Sequence, residues 1–191
     1  MNMKEMVERL AEKSPSKADL SYLAKLKYET AAEFWDRSDS VINMLHVIAA
    51  ALPRSVLLGL ACDFSEHVLP VAESFLRSVG HSCTDAPRAA VVAVRDGRLT
   101  PEIKRAAIRA MYLEHPLNHE VDTHEQACAL STVGSIFDAI EHEDDQKNFE
   151  SMMTMAAVMA CAAGEPRSEE LWQIARVREV VPWSMVEEAM R

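Results

Sequence analysis

The chain has 191 residues, 49% of them hydrophobic and only 6% aromatic, with five glycines and 20 Lys and Arg against 30 Asp and Glu, a net charge of −10. That length fills one domain and is short for two, and such a composition disfavours a β-rich fold. The negative balance repels phosphate backbones, so it argues against nucleic-acid binding, while it suits solubility or docking onto a basic protein surface.

The predicted elements are helices with marked ends. Met3 to Lys13 has the pattern of a short amphipathic helix, stopped by Ser14-Pro15. Ser16, with Asp19 three residues on, resembles a capping box and opens a helix running to about Arg37, with Leu20, Leu23, Tyr28, Ala31, Phe34 and Trp35 inward. Ser38-Asp39-Ser40 starts the next, which places Val41, Met44, Leu45 and Ile48 inward and ends at Leu52. Pro53 can then occupy a first helical turn.

The helix from Arg54 to Leu69 is the most buried in character, its apolar side chains covering about two-thirds of the circumference at helical spacing. Gly59, Asp63, Glu66 and, at the edge, His67 share the remaining strip, and Pro70 either ends the helix or kinks it, with Val71 to Val79 continuing at an angle before Gly80. Asp85-Ala86-Pro87 begins a further helix that stops at Asp96-Gly97, and Thr100-Pro101 launches one to about Glu114. His115 to Asp122 is the longest loop candidate. Thr123 caps a helix to about His142, and Asp144 or Asp145 caps a Met- and Ala-rich helix that ends at a left-handed Gly164. Ser168 begins a helix to Val181, and Ser184 caps a last short turn.

The expected architecture is therefore all-α, a single domain (1–191) of about nine or ten helices arranged as stacked hairpins. Its parts are N-terminal helices (1–52), a central body (53–181) and a C-terminal turn (182–191). The cysteines, Cys62, Cys83, Cys128 and Cys161, form no Cys-x-x-Cys pair and read as reduced, which together with a charged, amphipathic N-terminus predicts a cytoplasmic protein. No apolar run approaches the roughly 20 residues of a membrane span.

Two groups of residues could carry metal chemistry. His115, His119 and His124 lie beside carboxylates, but Pro116 follows His115, which keeps His115 and His119 from sharing a helical face. Asp63 and His67 are one turn apart, so the carboxylate could orient the imidazole as a base or ligand, or simply satisfy it on the edge of a packed helix. The structural reading is favoured at Asp63 and His67, the loop histidines read as solvated surface residues, and no cofactor is expected. Phosphate loops, nucleophile elbows and Ser-His-Asp order are missing from the sequence, so the chain reads as a protein binder rather than an enzyme. Candidate contact residues are Glu114, Glu120 and Asp122 in the loop and the acidic run Glu141, Glu143, Asp144 and Asp145.

Two stretches carry a resemblance. Ala61-Cys62-Asp63-Phe64-Ser65-Glu66-His67-Val68-Leu69-Pro70, followed by Asp85-Ala86-Pro87-Arg88-Ala89-Ala90-Val91, resembles the central segment of a helical family of bacterial immunity proteins of polymorphic-toxin systems, immunity-5-like. Glu170-Leu171-Trp172-Gln173 with Arg176 and Arg178 is similar to that family's closing motif, and the likeness spans roughly Leu57 to Val181. Ala86 stands where the family's turn has an arginine, and the 124–142 helix is poorer in His and Ala than its counterpart. The resemblance implies binding and neutralisation of a toxin delivered by neighbouring bacteria, with no catalytic residues. In the turn itself, Asp85 can cap the helix that Pro87 opens, and Arg88 can fold back onto Asp85 or Glu66 and pin two helices together. Two other functions stay open on the residues alone: a helical metal-binding protein, and a scaffold that binds peptides between hairpins.

Overall fold

The computed structural model describes residues 1–13, 20–78, 80, 84–112, 124–141 and 145–191. Among them are ten α-helices: α1 (Met3–Lys13), α2 (Ala31–Arg37), α3 (Val41–Ala51), α4 (Arg54–Ser78), α5 (Ala86–Arg95), α6 (Pro101–Tyr112), α7 (His124–Glu141), α8 (Gln146–Ala163), α9 (Pro166–Val180) and α10 (Trp183–Ala189). The fold is all-α. The described residues contain no strand beyond a single bridge between Asn2 and Thr30.

Local chemistry accounts for most of the boundaries. The side chains of Thr30 and Ser40 accept hydrogen bonds from the amides of Glu33 and Asn43, which caps α2 and α3. Thr100 Oγ1 accepts from the Ile103 amide, and Asp145 Oδ1 from the Asn148 amide, at the starts of α6 and α8. Gly97, at φ 64°, lets the chain leave α5 through a left-handed turn.

Several boundaries differ from expectation. The single helix expected up to Arg37 is a 3-10 turn at Ser21–Lys25 followed by the separate α2, because the extended Leu26 breaks the run and Thr30 supplies a new cap. Gly164 is not left-handed, since only Gly80 and Gly97 have positive φ among the described glycines. α9 starts at Pro166, two residues before Ser168, because Glu165 reaches the Ser168 amide. α10 follows Pro182 rather than a Ser184 cap. At Pro70 the continuing alternative is the one found: α4 runs through it to Ser78. Pro70 is exposed while Val68, Leu69, Ala72 and Leu76 are buried, so packing on the inner side holds the helix across the missing amide.

α4 is the centre. It packs against α7, α8 and α5 and also touches α3 and α9, while α5 with α6 and α7 with α8 form hairpins. One continuous cluster of buried side chains runs from Met3 to Met190, so α1 to α3 share the core with the central helices. Trp35 and Phe34 are fully enclosed in it. By length and composition alone α4 could cross a membrane, contrary to the sequence expectation, but half of that stretch is buried inside the protein. A core helix meets the same criteria.

Candidate functional site

α4 turns its polar strip toward α5 and α9, and the charges there are matched. Asp63 accepts from two arginines: Arg95 Nη2 of α5 at 2.6 Å and Arg176 Nε of α9 at 2.7 Å. Arg95 also reaches Glu66 at 3.0 Å, and Arg176 reaches Glu179 at 2.8 Å. Hydrogen bonds to Glu179 and Asp63 hold the Arg176 guanidinium in its charged form. Two arginines thus clamp three helices on one carboxylate, an arrangement that fork-shaped guanidinium donors favour.

His67 does not turn to Asp63. Its ring lies flat on Trp172 of α9, centroids 3.7 Å apart and planes 9° from parallel, and its Nε2 is 3.3 Å from Glu169 Oε2. The expected Asp63–His67 contact is displaced because Asp63 is already occupied by two arginines. Trp172 also meets Phe64 edge-on at 6.3 Å. Glu169 is buried, and that burial raises its carboxyl above the usual range, against the opposing pull of Gln173 and His67. Gln173 Nε2 donates to Glu169 Oε1 and to the Ala157 carbonyl of α8, which joins this seam to the next helix.

Behind that seam is a pocket of about 380 Å³ between α3, α8 and α9, lined by Val41, Ile42, Ala157, Val158, Cys161 and Pro166, with Arg167 and Glu170 also in its wall. Arg167 and Glu170 are paired at 3.0 Å, so the charged part of the wall is nearly neutral and the remainder is apolar. Burial pushes the Cys161 thiol up to about 11, which leaves it protonated and poorly nucleophilic near neutrality. Val158 is 44% exposed, and Met155, one turn earlier on the same face of α8, is 39% exposed. Leu171 of α9 is 50% exposed. A further polar pair lies apart from the pocket wall: the Tyr22 hydroxyl is hydrogen-bonded to His46 Nδ1, and burial lifts the phenol to about 12 and lowers the imidazole.

The remaining sequence candidates are dispersed. Arg88 does not fold onto Asp85 or Glu66. Its Nε meets Glu73 Oε1 at 2.6 Å, because Glu73 lies farther along α4, which Pro70 fails to terminate. Asp85 makes no side-chain cap on α5; its carboxylate accepts from the Thr84 hydroxyl. Glu141 is exposed and paired with Lys104, whose ammonium also lies over the Phe137 ring. Asp145 is exposed and serves as the α8 cap. Glu114, His115, His119, Glu120, Asp122, Glu143 and Asp144 lie outside the described residues, as does the side chain of His124. No group of three or more His, Cys, Asp or Glu is placed to hold a metal among the described residues, so Asp63 and His67 are not brought together as ligands.

Sequence reasoning missed Arg95 and Glu169 as partners of the α4 strip, Glu73 as the partner of Arg88, and the pocket. Glu66 and Arg95 are 29 residues apart, and Asp63 and Arg176 are 113 apart. No helical periodicity encodes such pairings, although the presence of three polar residues on an otherwise apolar helix did signal that partners were needed. No family model, curated protein or solved structure matches the chain.

Proposed function

We propose that this protein is a binder of the immunity type, which neutralises a basic toxin domain by taking one of its large apolar side chains into the α3–α8–α9 pocket. The observation that carries the reading is an open apolar pocket bordered by the exposed Val158 on a chain of net charge −10. Pockets of about 300 to 1,000 Å³ are of a size to hold a ligand group, and exposed apolar surface rimmed by charge is typical of protein contact sites. The acidic total charge selects a basic partner and speeds encounter with it, while the apolar anchor supplies most of the affinity. The sequence resemblance to immunity proteins adds the biological role.

The test is protection. Co-expression with the secreted toxin gene next to this one restores growth, and the purified pair forms a complex whose association rate falls as salt rises. Val158→Glu puts a charge in the pocket at an exposed position, so it leaves folding intact and weakens the complex by about tenfold or more. A gene neighbourhood without a secreted toxin, or toxicity undiminished by co-expression, overturns the proposal.

A further inference from the structure

We propose that His67, Trp172 and Glu169 form a proton-responsive clasp that tightens α9 against α4 when His67 is protonated. The clasp belongs to the fold itself and is independent of any partner.

The geometry gives a proton somewhere to act. The His67 side chain is 41% exposed, so it exchanges protons with solvent, while Glu169 is 6% exposed and is held from behind by Gln173. A neutral imidazole stacked on Trp172 gains dispersion. An imidazolium in the same place adds Coulomb attraction to the enclosed carboxylate and a cation–π attraction to the indole face 3.7 Å away.

The surrounding charges leave this attraction in place. From α4 itself come Asp63 and Glu66, from α5 Arg95, and from α9 Arg176; the two acids and two arginines are bonded to one another. Near Glu169 on the side of α8 is Cys161, a protonated thiol that feels both Glu169 and Glu170. Among the described residues Glu169 has no lysine or arginine partner, so His67 is the group that can neutralise it.

A proton acts in opposite directions on the two members of the pair. Burial raises the Glu169 carboxyl in the folded state, so the carboxylate that attracts His67 is present only above that raised value and is lost as pH falls through it. The attraction to His67 is present while the ring is protonated and is lost as it deprotonates. The clasp is therefore tightest where His67 carries its proton and Glu169 does not.

Two readouts test this on the full chain. A protonated imidazole in contact with an indole quenches its fluorescence, so tryptophan emission falls in a step as the solution is acidified. The step disappears in His67→Gln and in Trp172→Phe and persists in His46→Gln. A double-mutant cycle of His67→Gln and Glu169→Gln, read by urea unfolding, gives a coupling of about threefold to tenfold in the unfolding constant where His67 is protonated and Glu169 ionised, and less at alkaline pH. Should one of these variants fail to fold, the His67 ring protons of the native protein, followed by NMR against pH, report the same contact through their displacement by the Trp172 ring current. A fluorescence step that survives His67→Gln, a coupling equal at both pH values, or His67 resonances without ring-current displacement overturns the proposal.

Discussion

α9 is held along two seams of opposite character. Toward α2 and the link to α3, Trp35 Nε1 donates to the Val181 carbonyl at 3.1 Å, and Arg178 donates to the Trp35 and Ser38 carbonyls, each at 2.9 Å. Toward α4 and α5 the contacts are the carboxylate–arginine set around Asp63 and the His67–Trp172 stack. The first seam uses backbone acceptors that do not titrate, around an indole that is 1% exposed. The second uses charges that are partly open to solvent, since Arg95 and Arg176 keep 38% and 32% of their side-chain exposure. The first should therefore carry most of the stability, and the second should carry responsiveness to pH and salt.

The contrast is most easily broken at Trp35. Trp35→Ala empties a closed site and orphans the Val181 carbonyl, at a cost of about 3 to 5 kcal/mol in urea unfolding, with little dependence on salt. Next comes Arg178→Ala, which removes two charge-assisted hydrogen bonds to carbonyls and costs about 2 to 3 kcal/mol, again insensitive to salt. On the other seam, Asp63→Asn leaves two arginines without their shared carboxylate and costs about 1 to 2 kcal/mol at low ionic strength, a figure that shrinks in about 1 M NaCl. Glu66→Gln loses a contact that is 26% and 38% exposed on its two sides, so unfolding shifts by about 0.5 kcal/mol or less. Equal salt sensitivity of Arg178→Ala and Asp63→Asn would erase the distinction between the seams.

A separate pair of substitutions examines the glycines. Gly97→Ala costs about 1 kcal/mol because its φ of 64° strains any side chain, although the added methyl meets nothing within 4 Å. Gly164→Ala, where a Cβ lies 3.9 Å from that of Glu169, makes ordinary contact and is neutral or slightly stabilising, within about 0.5 kcal/mol in thermal unfolding.

Sequence patterns determined where most helices lie. Ser40 before an apolar run, Thr100 before Pro101, and Gly97 after α5 act within a turn or two of their own position, so their effect is written locally. Burial of Phe34, Trp35, Leu45 and Leu60 likewise follows from spacing along a single helix. Tertiary structure decided what local rules cannot reach. α4 runs through Pro70 because its inner side chains pack, and Arg88 then finds Glu73 instead of Asp85 or Glu66. His67 leaves Asp63 for Trp172 because arginines 32 and 113 residues away claim that carboxylate first. The pocket arises only where α3, α8 and α9 meet. A cap is a contact between near neighbours in the chain, whereas an ion pair or a pocket belongs to whichever helices the core brings side by side.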